Sequence, residues 1–322
     1  MSTHDEPFFP PELERKIFEE AAYLHAALIP VLLLVAQRVF LWMEPLMYRT
    51  LTVRDHLPQY ERFLEIFLLK SPAFLTAAVR HIHFDSSAAS INTAGKTYAE
   101  ILARCPGITH VGTTVVFTGP RAREALTVLP NLTHLTTNLN GLFPDSKSVN
   151  PRHAILANVT HLNLHDSMAQ YHARENIWDA IPYIPRLTHL RMKSSGLEPT
   201  LLEQLLESCP NLHVLLLTTG KSSEAFTVLD PRLVWGYVTD HYDLFWEDWM
   251  RNVRGEVDMW LLAEEMVQRR TLGQASMNEI EWIRLSHWPA PSRPATDTED
   301  TISGSSSDSP STSDSDSESD SE

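Results

Sequence analysis

Four Thr-His pairs in this chain are flanked on both sides by apolar residues. They read Ile108-Thr109-His110-Val111, Leu132-Thr133-His134-Leu135, Val159-Thr160-His161-Leu162 and Leu187-Thr188-His189-Leu190. Two altered copies flank the set, Val79-Arg80-His81-Ile82 and Leu212-His213-Val214-Leu215. A set of imidazoles brought together can titrate as a coupled group, ligate a metal or offer polar contacts to a partner. Which of these applies depends on the elements that place the rings.

Those elements follow from the interval. The copies start at 79, 108, 132, 159, 187 and 212, spaced 29, 24, 27, 28 and 25 residues apart. A period of roughly 20–29 residues with an L-x-x-L-x-L core is the signature of leucine-rich repeats. Helical patterns lie between the expected strands: Phe63, Leu64, Phe67 and Leu68; Tyr98, Ile101, Leu102 and Cys105; Ile177, Trp178 and Ile181; Leu201, Leu202, Leu205 and Leu206. One strand and one helix per repeat predict an α/β solenoid with parallel strands inside and helices outside. The first strand is expected over residues 48–53, the last over 233–238, and a capping helix over 257–269.

Side chains alternate across a sheet, so the apolar positions of each repeat face the core and the others a concave face. His81, His110, His134, His161 and His189 then form one column. His83, Gly112, Thr136, Asn163 and Arg191 run beside it, followed by Asp85, Thr114, Asn138, His165 and Lys193. With strands about 4.8 Å apart, the rings stack like rungs and most are neutral near pH 7. The plain reading is a solvent-facing polar ladder. The functional reading is a partner-binding face of His81, His83, His110, His134, Thr136, His161, Asn163, His189 and Arg191. A metal site is not expected, because a flat ladder does not close around an ion; His161 and His165 with a neighbour would be the exception.

No catalytic motif is present: no Gly-x-Ser-x-Gly, no phosphate-cradling loop and no His-Glu-x-x-His. The chain is expected not to be an enzyme and to need no cofactor. Glu264-Glu265 reads as a solvated helix face. The aromatic group Trp235, Tyr237, Tyr242, Phe245, Trp246 and Trp249 reads as a C-terminal seal or as a partner anchor.

The 322 residues carry a formal charge of −15, of which nine acids and no Lys or Arg fall in residues 297–322, leaving −6 on the rest. An acidic body argues against nucleic acid. Cys105 and Cys209 both precede Pro at matching points of two repeats and read as buried apolar residues. The start lacks a secretory pattern, and the longest apolar run, residues 26–36, contains Pro30 and falls far short of the roughly 20 residues a bilayer needs. A cytosolic or nuclear, membrane-free monomer is expected.

Residues 1–9 read as an arm, 10–47 as a helical unit, 48–270 as the repeat domain with its cap, 271–295 as a polar extension and 296–322 as a disordered Ser/Asp/Glu tail. The helical unit starts at Pro10-Pro11, continues through Leu13, Ile17 and Phe18, restarts at Pro30 and ends with Val39, Trp42, Met43 and Leu46. About 40 residues cannot bury that much apolar surface alone. Phe9-Pro10-x-Glu12-Leu13, Ile17-Phe18, the leucines around Pro30, Val35-x-x-Arg38-Val39, Trp42 and Pro45-Leu46-Met47-Tyr48-Arg49 resemble an F-box of the kind abundant in mushroom-forming fungi. The departures are Phe9 where Leu is usual, and the very apolar stretch 28–36. The resemblance implies that Pro10, Leu13, Ile17, Phe18, Leu34 and Val39 dock onto the adaptor subunit of an SCF ubiquitin ligase while the repeats select an unnamed target protein. The rival is a stand-alone binding scaffold whose N-terminal helices only cap the first repeat. Ser313, Ser315, Ser317 and Ser319, each followed by acids, suit an acidophilic kinase.

Overall fold

A computed structural model describes residues 9–85, 91–114, 117–144, 149–166, 168, 177–219, 228–237, 242–277 and 281–285, with residues 91–96, 242 and 243 by backbone alone. The arm before residue 9 and the acidic tail lie outside the described residues. Pro11 occupies the first turn of α1 (Pro11–Leu24), where its missing N–H costs nothing. A short α2 (Ile29–Leu32) follows with Pro30 in its first turn, then α3 (Gln37–Met47) with Pro45 in its last. Ala22, Val39 and Met43 form the small buried centre of this unit. Arg38 pairs with both carboxylate oxygens of Glu14, fastening α3 to α1.

The repeats then lay down strands in strict sequence order. These are β1 (Thr50–Val53), β2 (His81–Phe84), β3 (His110–Thr113), β4 (His134–Thr137), β5 (His161–Leu164), β6 (His189–Lys193), β7 (Val214–Thr219), β8 (Leu233–Tyr237) and β9 (Trp282–Ile283). Among the described residues they make one nine-stranded parallel sheet, an α/β architecture compatible with a solenoid. The registers align Ile82, Val111, Leu135, Leu162 and Leu190, and all five are buried. On that face lie α4 (Tyr60–Leu69), α5 (Pro72–Ala78), α6 (Ile91–Ala103), α7 (Gly119–Thr127), α8 (Leu139–Leu142) and α9 (Pro199–Ser208). The repeat before β6 ends in a single 3₁₀ turn, Ile181–Tyr183, where Pro182 and Pro185 prevent a longer helix.

Small polar groups tie each repeat to the one before. Asn131 and Asn158 side chains donate to the carbonyls of Pro106 and Pro130. Buried Cys105 and Cys209 are free thiols, pushed up to about 12 and about 11 by burial; inert apolar packing is what that environment permits.

The other sheet face departs from expectation. Helices α10 (Tyr242–Arg254) and α11 (Met259–Thr271) follow β8, and both pack on the face opposite the connecting helices. Asp258 caps α11 by accepting from Leu261 N, so this helix starts two residues later than the sequence suggests. Residues 271–295 are not simply a polar extension, because Trp282–Ile283 pairs with Trp235–Gly236 as the ninth strand. Met259, Trp260, Ala263 and Met266 of α11 bury Val214, Leu216 and Val234. No described helix is long and apolar enough to cross a membrane.

Candidate functional site

The histidine column exists in the expected register: Thr50, His81, His110, His134, His161 and His189 are partners on successive strands. The threonine before each ring explains its pose. Thr109, Thr133, Thr160 and Thr188 hydroxyls each donate to the backbone carbonyl of the preceding repeat at 3.2 Å. A hydroxyl has one hydrogen, so toward the ring it accepts. The Nδ1 atoms of His110, His134, His161 and His189 lie 2.8–3.0 Å from those oxygens. With the hydroxyl hydrogen assigned to the carbonyl, Nδ1 carries the ring proton and Nε2 keeps its lone pair. The rings stack at centroid distances of 3.9, 4.0 and 4.0 Å. His81 breaks the pattern because Arg80 stands in the threonine position. Its Nδ1 turns to Thr50 Oγ1 at 2.9 Å, and its ring meets His110 edge-on.

These rings are kept neutral. Desolvation is the main cause, joined by Arg49 and Arg80 at His81 and chiefly by mutual repulsion among the rings, were they charged, at the others: His81 is lowered to about 4, His110 to about 3, and His134 and His161 to about 2. The column ends at β6, where the aligned residue of β7 is Val214 and His213 stands one position earlier.

The face is not open to solvent. Trp246 of α10 stacks on His83, and Trp249 reaches the same ring. A Cβ at Gly112 would lie 2.8 Å from Trp246 and 3.1 Å from Trp249, so only glycine admits the helix this close. Asp248 pairs with Arg191 at 2.5 Å, both 3% exposed, and its other oxygen accepts from Met259 N. One carboxylate thus fixes α10 to β6 and starts α11. Trp260 meets His161 and His189 edge-on. Phe245 packs on His165.

The expected concave partner surface is corrected accordingly. His81, His83, Thr136, Asn163, His189 and Arg191 are buried and unavailable to a partner in this arrangement; His110, His134 and His161 are only partly exposed. The register reading holds, but the chain's own helices occupy the face. Phe245, Trp246 and Trp249 act as a seal over the ladder. Asp248, Trp260 and Glu264, none of them assigned to the face from sequence, help build it; Glu264 is no freely solvated carboxylate, since it lies 3.0 Å from His189.

The N-terminal candidates divide. Pro10 is exposed, as are Leu13, Ile17 and Leu34, the last at 86%. Leu24, Val31, Val35 and Leu41 add to the exposed apolar surface. Phe18 is half-buried against the unit's centre. Val39 is fully buried and is corrected from docking residue to core residue. No protein-family model matches the chain, and no curated protein matches it.

Proposed function

We propose that the chain is a non-catalytic substrate receptor of an SCF-type ubiquitin ligase, built as an F-box-like unit on a leucine-rich-repeat solenoid. The observation that carries this reading is the exposed apolar surface of the N-terminal unit. Leu13, Ile17 and Leu34 face solvent on a unit whose centre holds only Ala22, Val39 and Met43. A unit acting only as a cap would turn these side chains inward. The capping role falls instead to the end of α3 and its flank, where Lys70 pairs with Glu44 and Tyr48 meets Phe74 edge-on. Exposed apolar clusters of this kind mark protein docking sites. The receptor would act by raising the local concentration of a bound target. The ladder face is not carried into this reading as the target site, because α10 and α11 cover it.

The test replaces Leu13 and Ile17 with Asp in the full chain and asks whether the SCF adaptor subunit still co-purifies. Wild-type capture and loss in the variant, with unchanged circular dichroism, support the reading. Failure of the wild-type chain to bind, or equal binding by the variant, sinks it.

A further inference from the structure

Three ligand-type groups meet where α11 crosses β5 and β6. His161, His189 and Glu264 each offer one ligand atom, and these atoms all lie within 4.8 Å of one another. His189 is 7% exposed, and its Nε2 makes no hydrogen bond. Yet Glu264 Oε1 stands 3.0 Å from that nitrogen.

The threonine ladder explains the tension. Thr188 Oγ1 lies 3.2 Å from the Thr160 carbonyl and 2.8 Å from His189 Nδ1; with its hydrogen assigned to the carbonyl, it accepts the Nδ1–H of His189. In that tautomer the Nε2 lone pair of His189 faces a carboxylate oxygen, acceptor against acceptor. Such a contact repels unless a cation joins it. Thr160 and Thr133 hold His161 in the same tautomer, presenting a second lone pair beside the first. A flat column of parallel rings cannot surround an ion. The carboxylate comes from a helix outside the column and supplies the missing direction.

We propose that His161, His189 and Glu264 bind one divalent transition-metal ion of the zinc class, which clamps α11 to the histidine ladder. Two imidazoles and one carboxylate suit this class of ion. Tetrahedral ligands with bonds of about 2.0–2.1 Å lie roughly 3.3 Å apart, so the 3.0 Å His189–Glu264 pair has to open by only a few tenths of an ångström. The second ring nitrogen of each histidine is held by a hydrogen bond, as metal-ligating histidines require. Rings stacked 4.0 Å apart have parallel lone pairs, so the His161 ring has to swing out of its stack to converge on the ion. Glu264 is half exposed and gives the ion a way in, and water completes the coordination.

The experiment uses the tag-free full chain, stripped with chelator and titrated with Zn²⁺ and with Co²⁺ by calorimetry and visible absorption. One ion per chain is expected, with a d–d spectrum for Co²⁺ and a Zn²⁺-dependent rise in Tm. Glu264→Gln should weaken binding at least tenfold and abolish the Tm rise. Thr188→Val leaves both histidines in place and should cost about 10–100-fold in affinity by freeing the His189 tautomer. Exposed His25 and His56, changed to Ala, should alter neither readout. Because His189→Asn disturbs a buried site, Glu264→Gln decides the matter. No binding by the wild-type chain overturns the proposal. Unchanged affinity in Glu264→Gln also overturns it and places the ion on surface histidines.

Discussion

The chain carries helical units at both ends of one sheet, and they treat their apolar surfaces oppositely. At the N-terminus, α1, α2 and the turn after α2 leave Leu13, Ile17, Val31 and Leu34 in water. At the C-terminus, α10 and α11 bury Trp246, Trp249, Met259 and Trp260 against the sheet. Both ends are amphipathic, so apolar content alone does not distinguish a docking surface from a seal. What distinguishes them is complementarity on the sheet side. The C-terminal helices meet a glycine gap at Gly112, a buried cation at Arg191 and a stacking ring at His83. The exposed apolar side chains of α1, α2 and the turn that follows meet nothing equivalent among the described residues.

The sharpest way to break the C-terminal closure is to remove half of its buried ion pair. Asp248→Ala strands Arg191 in the interior and removes the acceptor for Met259 N. It should cost about 3–5 kcal/mol, read by urea unfolding. The double change Arg191→Met with Asp248→Leu should recover most of that loss, since both charges then disappear.

Acid should act on the same closure. His83 and His165 are lowered to about 3 and about 4, chiefly by desolvation. They face Trp246, Trp249 and Phe245 from α10; Arg54 for His83, and Arg191 and Lys193 for His165, are the charged groups that depress them further. Both folded values lie below the ordinary 6.5 of the unfolded chain. Between those limits the unfolded state binds more protons, so stability is full above pH 6.5 and falls as pH drops toward 4. Asp166 opposes this: burial raises it to about 6, despite the amides of Leu139 and Asn140 that it accepts from. Its contribution is full below the unfolded carboxylate value and is lost as pH rises through 6. The histidines should dominate, with a net loss on the order of a few kcal/mol by pH 4. Urea titrations at stepped pH check the sign, and His83→Phe, which keeps the stack without a proton, should move the acid transition to lower pH.

Filling the glycine gap should be milder. Gly112→Leu forces Trp246 and Trp249 away and should cost roughly 1–3 kcal/mol, with a red shift of tryptophan emission as these rings reach water. The smallest effect belongs to the other end. Leu13→Asp with Ile17→Asp should change stability by about 0.5 kcal/mol or less per site, whereas Met43→Ala, at the unit's buried centre, should cost about 2–5 kcal/mol. If the aspartates destabilise as strongly as the alanine, the two ends are alike and the contrast fails.

The repeat interval and the L-x-x-L-x-L frame were enough to place eight of the nine strands and the ladder's register, because strand periodicity is local and each copy repeats the same vote. The helix over 257–269 is legible as a cap, but not that it and α10 lie across the ladder, since their contacts join residues far apart in sequence: His83 to Trp246, and Arg191 to Asp248. Signals of them were nevertheless present. Gly112 and Gly236 interrupt strands where a side chain would strike Trp246 and Met259. Val214 to Leu217 is an unbroken apolar run where the earlier strands alternate, the mark of a strand buried on both faces. The Glu264 carboxylate carried no such signal, because a solvated helix face and a ligand look the same until the opposing strand is known.

The reach of α10 from β2 to β6 also sets an order of events at birth. An array whose units touch only their neighbours can settle as it leaves the ribosome. Here the pocket around His83 waits for Trp246, which lies 163 positions later in the chain. At ordinary synthesis speeds that interval is roughly 8 to 33 seconds. Until it passes, the nascent chain presents Gly112 and the stacked rings uncovered, and a holdase chaperone that recognises that face would have its one opportunity to bind before the molecule closes over it.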